Sequence, residues 1–429
     1  MTIRNTLFSS FSALAFAASG TAAFAECADP IKVGVLHSLS GTMAISETTL
    51  KDTMLMLIAQ QNAAGGVLGC QIEAVVVDPA SDWPLFAEKA RELLTVHETD
   101  VIFGNWTSVS RKSVLPVIEE LNGLLFYPVQ YEGEESSRNV FYTGAAPNQQ
   151  AIPAVDYFLE ELGVDKFALL GTDYVYPRTT NNILEQYLTD NGIAADDIFV
   201  NYTPFGHSDW ATIVADVMAL GEDGKQVGVI STINGDANIG FYKELAAAGI
   251  SADDIPVVAF SVGEEELSGL DTTNLVGHLA AWNYFMSADS GANTAFIESW
   301  QAFAGEDRVT NDPMEAHYIG FNMWVAAVEA AGTTDVDAVR EAMYGQEFPN
   351  LTGGTAVMLP NHHLAKPVLI GEITADGQFD IISQTTEVPG DAWTDFLPDS
   401  AVLVSDWKDL GCGMYNTVTE TCVQLTSNY

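Results

Sequence analysis

The sequence predicts an α/β fold divided into two domains, and three observations lead to this prediction. Short runs rich in β-branched residues recur from Ile31 onward and are apolar at nearly every position, as strands are when helices cover both faces of a parallel sheet. Longer amphipathic segments separate these runs, which is the alternation of a βαβ chain with right-handed crossovers. The chain has 429 residues, more than one hydrophobic core usually supports.

A first series of strands and helices occupies the first part of the chain. Gly65 and Gly66 end the first predicted helix, and Pro84 lies at the start of the second, where a missing N–H costs little. The predicted strands are Ile31–His37, Gln71–Val77, Val101–Gly104 and Leu124–Tyr127, and the predicted helices are Glu47–Ala64, Leu85–Val96 and Val109–Leu121.

A second series with the same alternation follows, and a third stretch resumes with Gly277–Tyr284 and the long helix Pro313–Ala331. The strands predicted for the second series are Lys166–Gly171, Ile198–Tyr202, Gln226–Ser231 and Pro256–Phe260, and its helices are Asn148–Leu162, Arg178–Asn191, Ser208–Leu220 and Asn238–Ala248.

The start of the chain predicts export. Arg4 precedes an apolar stretch of small residues from Phe11 to Ala18, and Ala23-Phe24-Ala25 supplies the small residues of a cleavage site. The apolar stretch is shorter than the roughly 20 residues that span a bilayer, which disfavours a signal anchor. Residues 1–25 are therefore predicted to be a cleaved signal peptide, and the mature protein to be periplasmic.

The charge excludes two classes of partner. The chain has 16 basic and 58 acidic residues and a formal net charge of −42. This charge repels the phosphates of nucleic acids and the headgroups of anionic lipids alike. We therefore expect neither as a partner.

The four cysteines predict two disulfides, because an exported protein folds in an oxidising compartment and the sequence has no Cys-x-x-Cys motif. Cys27 and Cys70 each precede a strand of the first series, and neighbouring parallel strands would bring their sulfurs together. Cys412 and Cys422 would close a short C-terminal loop. Four cysteines allow three pairings, and the sequence alone leaves the other two open.

Polar side chains and large aromatics follow the predicted strands at the point where each strand ends. Ligands of open parallel sheets bind beyond the carboxyl ends of the strands. One such loop is typical of a helix N-cap or a turn, but six of them favour a binding site for a small, polar, neutral molecule. The six loops are His37–Thr42, Trp106–Ser108, Tyr127–Tyr131, Gly171–Arg178, Ser231–Gly235 and Ser261–Glu266.

These runs resemble a known family. The chain is similar to the extracytoplasmic solute-binding proteins of ABC transporters in the branch of the leucine/isoleucine/valine-binding proteins, and more closely to the urea and short-chain amide binders. The similarity extends from Ile31 to about Trp407, and the most specific matches are Phe103–Lys112, Asn122–Glu134, Thr143–Gln149 and Thr172–Arg178.

The resemblance implies a type I periplasmic-binding-protein fold, in which two lobes, each a parallel sheet flanked by helices, are joined by three crossovers and close on the ligand. It implies a first lobe of residues 26–147 and 282–355, a second lobe of residues 148–281 and 356–400, and a C-terminal tail of residues 401–429 with a disulfide loop. It also implies that the ligand passes to the permease subunits of an ABC transporter.

The resemblance further implies which residues form the cleft: Trp106, Ser108, Tyr127, Gln130, Asp173 and Tyr176. Urea has one acceptor and four N–H bonds, so both donors and acceptors must converge on it. Ser108 is expected to donate a hydrogen bond to the carbonyl of the ligand. The side chains expected to accept hydrogen bonds from its N–H groups are Gln130, Asp173 and Glu264 or Glu265. The aromatic side chains would cover the faces of the ligand. Glu264–Glu266 is also typical of a solvated helix start, which is the competing interpretation.

The residues at the strand ends also leave room for another function. Serine and threonine at strand ends could also bind the carboxylate of an amino acid, so a branched-chain or other amino-acid receptor is the alternative. An enzyme is disfavoured because the sequence has no Gly-x-Ser-x-Gly and no His-Glu-x-x-His motif, and neither a metal site nor a cofactor is predicted. His362-His363 is the nearest approach to a metal pair and is predicted to lie in a surface loop. A cytoplasmic amide sensor is disfavoured by the signal peptide.

Overall fold

The computed structural model describes residue 27, residues 29–397 and, for the backbone alone, strands at 403–407, 412–416 and 421–423. The predicted signal peptide lies outside the described residues. The side chains of Cys412 and Cys422 also lie outside them, so their pairing stays a prediction.

Strands and helices alternate along the described part of the chain. The strands are β1 (Ile31–Leu36), β2 (Ile72–Val77), β3 (Val101–Gly104), β4 (Leu125–Tyr127), β5 (Val140–Tyr142), β6 (Lys166–Thr172), β7 (Ile198–Thr203), β8 (Val227–Thr232), β9 (Val257–Ala259), β10 (Leu279–Trp282), β11 (Glu347–Pro349), β12 (Thr355–Met358), β13 (Leu364–Lys366), β14 (Leu369–Ile373), β15 (Phe379–Gln384), β16 (Val388–Pro389), β17 (Leu403–Trp407), β18 (Cys412–Asn416) and β19 (Thr421–Val423). The α-helices are α1 (Ala44–Ala63), α2 (Trp83–Thr95), α3 (Ser108–Glu120), α4 (Ala151–Glu160), α5 (Val175–Asp190), α6 (Ala211–Leu220), α7 (Ala237–Ala248), α8 (Glu264–Leu267), α9 (Gly291–Ala304), α10 (Asp312–Ala331) and α11 (Val336–Met343).

The first sheet is parallel and has the strand order β2-β1-β3-β4-β5. Its central strands are buried along their whole length, which explains why they are apolar on both faces. Helices start directly after the strands: Thr107 caps α3 by accepting a hydrogen bond from the N–H of Ser110 at 3.2 Å. We call the part of the protein built on this sheet the first lobe.

The second sheet has the order β15-β14-β10-β9-β8-β6-β7. The strands from β10 to β7 are parallel, whereas β14 and β15 are antiparallel additions at one edge. We call the part built on this sheet the second lobe. Smaller antiparallel sheets join β11, β12, β13 and β16, and β17, β18 and β19.

Each lobe has its own hydrophobic core, and the chain crosses between the cores repeatedly. The first core takes residues from 31–146 and 284–364 and also Ala392, and the cores of the second lobe take residues from 151–285 and 369–379. The chain therefore crosses near residues 147, 283 and 366, and it returns to the first core between residues 379 and 392. The lobe limits at 147, 281 and 355 remain our prediction from the sequence.

One disulfide is present among the described residues, and it confirms the predicted pairing of Cys27 with Cys70. β1 pairs with β2 in parallel, from Ile31 opposite Ile72 onward. The two cysteines precede these neighbouring strands, and their Cα atoms are 5.1 Å apart. The disulfide thus ties the start of the described chain to the edge of the first sheet.

Candidate ligand-binding cleft

Loops that follow the carboxyl ends of strands in the two sheets meet between the lobes, at a place that we call the cleft. Two hydrogen bonds join their strand-end loops. The indole Nε1 of Trp106, after β3, donates to Oδ1 of Asn234, after β8, at 3.3 Å. The amide Nε2 of Gln130, after β4, donates to the hydroxyl of Ser261, after β9, at 2.7 Å. The strand-end loops of the first and second series therefore meet, as the sequence predicted.

Trp106, Ser108, Tyr127, Gln130 and Tyr176 lie together in this cleft, and all five are buried. The hydroxyl of Tyr127 donates a hydrogen bond to the main-chain carbonyl of Trp106. Burial raises the pKa of the Tyr176 phenol above its ordinary range, and the neighbouring Gln130 and Ser261 oppose this shift. The cleft therefore combines aromatic walls with uncharged polar groups.

Three side chains at the cleft, those of Gln130, Asn105 and Tyr176, carry buried polar atoms without a hydrogen-bond partner among the described residues. The Oε1 atom of Gln130 is buried and makes no hydrogen bond, whereas Nε2 of the same amide is bonded to Ser261. The side-chain amide of Asn105, next to Trp106, is also buried without a bond in the described part of the protein. Buried polar atoms are nearly always paired, so an orphaned acceptor at the meeting point of two lobes indicates a ligand.

An ionic network that was not predicted from the sequence lies against Tyr127, with the guanidinium of Arg111 4.6 Å from the centre of the ring. The guanidinium of Arg111 is fully buried and donates from Nε to Oε1 of Glu135 at 2.7 Å. Its Nη2 atom lies 3.4 Å from Oε1 of Glu132, and Lys112 also pairs with Glu135 at 2.7 Å. Burial alone would raise the pKa of Glu135, but Arg111 and Lys112 outweigh it and lower the pKa to about 2. Charged side chains that the sequence analysis did not include among the site residues therefore lie next to the cleft.

Ser108 belongs to this network, and its role differs from the one expected. Its hydroxyl donates to Oε2 of Glu132 and accepts from Nη1 of Arg111 at 3.2 Å. The single hydroxyl proton is thus committed to a carboxylate, so Ser108 cannot donate to the carbonyl of a ligand as we had expected. Two adjacent basic residues, Arg111-Lys112, and the group of glutamates between Glu132 and Glu135 were the sequence signal for this network.

Asp173 does not join the cleft residues. Its side chain is 46% exposed, and it pairs with Nε of Arg178 at 2.6 Å. The adjacent guanidinium lowers the pKa of Asp173. The expectation that Asp173 accepts hydrogen bonds from a ligand inside a dry cleft is therefore corrected: the carboxylate faces solvent and its partner is local.

Glu264 is buried but is bonded elsewhere. Its Oε1 atom accepts a hydrogen bond from the main-chain N–H of Met286 at 2.6 Å, in the segment that follows β10. Burial raises its pKa to about 8, and the charges of Glu266 and Asp312 act in the same direction. Glu264 thus lies beside the crossing near residue 283, and none of its hydrogen bonds joins it to Trp106, Tyr127 or Gln130.

Glu266 corrects the prediction of a solvated acidic helix start. It is 2% exposed, and its Oε1 atom accepts from the hydroxyl of Ser46 in the first lobe at 2.7 Å. Its other oxygen accepts from the N–H of Gly263 at 3.0 Å. Burial raises its pKa to about 7. Glu266 is therefore a contact between the lobes rather than a surface residue.

We expect the stability of the protein to depend on pH through Glu266. Its pKa is higher in the folded protein than the ordinary value of 4.5, so the folded state holds more protons between these two pKa values. The free energy of unfolding should fall as the pH rises from 5 to 8, by on the order of 3 kcal/mol for this group. Glu266→Gln should flatten the curve over that interval, measured by guanidinium chloride unfolding. Equal slopes for the two proteins would contradict the assignment.

The histidine pair 362–363 is not in a surface loop. Both side chains are fully buried. The ring of His362 stacks on Phe141 at 4.3 Å and the ring of His363 on Tyr142 at 4.9 Å, so strand β5 covers them. Burial lowers their pKa values to about 3 and about 4, which keeps both neutral. Among the described residues, no group of histidine, cysteine and carboxylate side chains is arranged to hold a metal ion.

The sequence matches a known family over most of its length. The profile of the periplasmic binding protein domain matches residues 31–399. The chain belongs to this family. None of the helices in the described part of this periplasmic binding protein has the length and apolar character needed to cross a membrane.

Similar proteins support this assignment. Leu/Ile/Val-binding protein homolog 6 of Brucella melitensis biotype 1 is 24% identical over 388 residues, which are 88% of this chain and 97% of that protein. A solute-binding protein of an ABC transporter from R. palustris, solved in complex with 4-hydroxybenzoate, superposes with a TM-score of 0.73 at 20% identity, over 84% of this chain and 98% of that one. The two-lobed type I fold predicted from the sequence is therefore confirmed.

One further match covers only part of both proteins. Limonene hydroxylase of Geobacillus stearothermophilus is 32% identical over 134 residues, which are 31% of this chain. The chain spans 24% of the length of that relative. This similarity carries no functional argument for the periplasmic binding protein.

Proposed function

We propose that the protein is an extracytoplasmic receptor that binds urea or a short-chain amide between its lobes and delivers it to the permease of an ABC transporter. The observation that carries this proposal is the buried, unpaired Oε1 atom of Gln130 at the meeting point of the lobes. An acceptor in that position suits a ligand with N–H groups, because burying a ligand donor without a partner costs about 1–3 kcal/mol.

The charges around the cleft support an uncharged ligand. Arg111 and Lys112 are both paired with carboxylates, so neither is free to bind the carboxylate of a ligand. The walls of the cleft are aromatic: Trp106 and Tyr127 belong to the first lobe and Tyr176 to the second. Flat aromatic side chains suit a small planar molecule such as urea and exclude water from it.

A branched-chain or other amino-acid receptor is the second candidate. The Brucella relative is named for leucine, isoleucine and valine, and the R. palustris structure contains an aromatic acid. These names favour the second candidate over the first. In this chain, however, a ligand carboxylate would have to rely on main-chain N–H groups and on the hydroxyl of Tyr176, since the nearby cations are already neutralised.

The location and the partner form part of the same proposal. The predicted signal peptide and the periplasmic family support export to the periplasm. Delivery to an ABC permease is supported by the described role of the R. palustris protein as the solute-binding part of an ABC transporter.

Calorimetric titration with urea, acetamide, leucine and 4-hydroxybenzoate tests the proposal. We expect urea or acetamide to bind in this titration. A bound ligand at 100 times its own dissociation constant should also raise the free energy of unfolding of the protein by about 2.7 kcal/mol. No ammonia should be released, since the receptor binds its ligand without hydrolysing it. Binding of leucine with higher affinity than either amide would favour the second candidate.

Two variants test whether the cleft is the binding site. Gln130→Ala should weaken binding of the amide roughly 5- to 150-fold, because it leaves a ligand N–H group without an acceptor. Trp106→Ala should also weaken binding, because it removes a wall and admits water. Asp173→Ala is the control, since that carboxylate faces solvent and its ion pair with Arg178 is exposed. Wild-type affinity in both cleft variants would place the binding site elsewhere.

A further inference from the structure

The proton of the Ser108 hydroxyl is committed to one carboxylate. Ser108 is the first residue of α3, and its hydroxyl donates to Oε2 of Glu132, while Nη1 of Arg111 donates to the same hydroxyl oxygen at 3.2 Å. A hydroxyl has one proton and two lone pairs. What Ser108 can still offer to a ligand is therefore a lone pair, and the direction of its hydroxyl depends on Glu132.

Glu132 and Glu135 share the same two cations unequally. Arg111 and Lys112 each approach Glu135 to 2.7 Å. The same two cations lie farther from Glu132, at 3.4 Å and 3.6 Å. Tyr142 also donates its hydroxyl to Glu135 at 2.9 Å. Glu135 is therefore the closely paired carboxylate, and Glu132 keeps more of its negative charge available.

Glu132 also lies within electrostatic reach of the second lobe. Burial raises the pKa of the phenols of Tyr174 and Tyr176, and the charge of Glu132 raises both further. These tyrosines belong to the start of α5, which contacts α3 across the cleft. Because α3 contacts α5 and Ser108 is the first residue of α3, the Ser108–Glu132 pair lies near the junction of the two lobes.

We infer that Glu132 is the selectivity-determining residue of the cleft: by holding the Ser108 proton, it presents acceptors to a ligand and discriminates against ligands that carry a carboxylate. This inference rests on the proposed function and deepens it, because it states why an amide is accepted and an amino acid is not. A ligand carboxylate next to Ser108 and Glu132 would face a lone pair of the serine hydroxyl and a negatively charged glutamate, and both would repel it. The N–H groups of urea or acetamide would meet the same two acceptors favourably.

Glu132→Gln tests the inference, because it removes the charge and replaces one carboxylate acceptor by an N–H donor while nearly preserving the volume. Calorimetric titration with urea, acetamide and leucine should show the amides weakened by about 10- to 150-fold, the range for hydrogen bonds to charged groups. The ratio of amide to leucine affinity should fall by a similar factor. Glu132→Asp keeps the charge and should retain part of the preference for amides over leucine. A purely structural role of Glu132 would give no reason for aspartate to retain this preference.

Glu135→Gln is the matched control, since it removes a charge from the same network on the side of Tyr142. It should leave the ratio of amide to leucine affinity unchanged, even where it alters stability. An unchanged ratio in Glu132→Gln, or the same change in both glutamine variants, would overturn the inference while leaving amide binding by the wild-type protein intact. Wild-type protein that binds leucine and neither amide would overturn the proposed function and the inference together. Circular dichroism checks that each variant is folded.

Discussion

Arg111→Met is expected to lower the free energy of unfolding by about 3–5 kcal/mol at neutral pH, because it leaves buried carboxylates without their main cation. Glu132 and Glu135 are 1% and 7% exposed, and Lys112, which is the other cation of the network, is partly exposed. Methionine keeps the length of the side chain, so the loss reports the charge more than the volume. The unfolding midpoint should be measured in guanidinium chloride, since urea is the proposed ligand.

Arg178→Met is the control for this prediction. Arg178 and Asp173 form an ion pair in which both side chains are about half exposed, at 53% and 46%. Exposed pairs contribute about 0–1 kcal/mol, so this variant should unfold close to the wild-type midpoint. A loss below about 1 kcal/mol in Arg111→Met as well would contradict the picture of an electrostatically dependent network.

Removing the disulfide with Cys27→Ser and Cys70→Ser is expected to lower the free energy of unfolding by about 4 kcal/mol. The cross-link joins residues separated by 43 positions, and in the chain-entropy account it restricts the unfolded chain by that closed loop. In the folded protein it also holds the residues before β1 against the edge of the sheet. The double variant should therefore unfold at a lower guanidinium chloride concentration than the oxidised wild type.

Reduction provides the control for the disulfide prediction. Wild-type protein in excess reductant should approach the midpoint of the double variant. Any further shift when the double variant itself is reduced would report the predicted second disulfide, between Cys412 and Cys422. A double variant as stable as the oxidised wild type would show that the cross-link restricts the unfolded chain much less than its loop length implies.

The strands were predictable because their burial is visible in the sequence. β3 was predicted with the observed limits, Val101–Gly104, since a strand covered on both faces is apolar at every position. The convergence of Trp106, Tyr127 and Gln130 followed from the rule that ligands bind at the carboxyl ends of parallel strands. Short strands at the edges, such as β5 and β16, carry too few residues to show a pattern.

The errors arose where a distant residue decides the environment of a side chain. Three consecutive glutamates are typical of a solvated helix start, yet Glu266 is buried, and Ser46, 220 positions away, donates a hydrogen bond to its carboxylate. His362 and His363 are buried because β5 lies against them. The expectation that Asp173 lies in the cleft was wrong for the opposite reason, because a local partner, Arg178, pairs with its carboxylate at the surface. No local pattern distinguishes these cases.

The crossings of the chain between the two cores bear on how the protein folds. The first core needs residues 31–146 and also residues 284–364, which include α10. The strands of the first sheet all lie before residue 143, but α10, which packs against α1, is synthesised only after residues 151–282 of the second lobe. Contacts between such distant segments form slowly, because closing a long loop costs conformational entropy before the contacts that it allows can stabilise the chain. Slow completion suits a chain with a predicted signal peptide, since a translocated protein must remain unfolded until it has crossed the membrane.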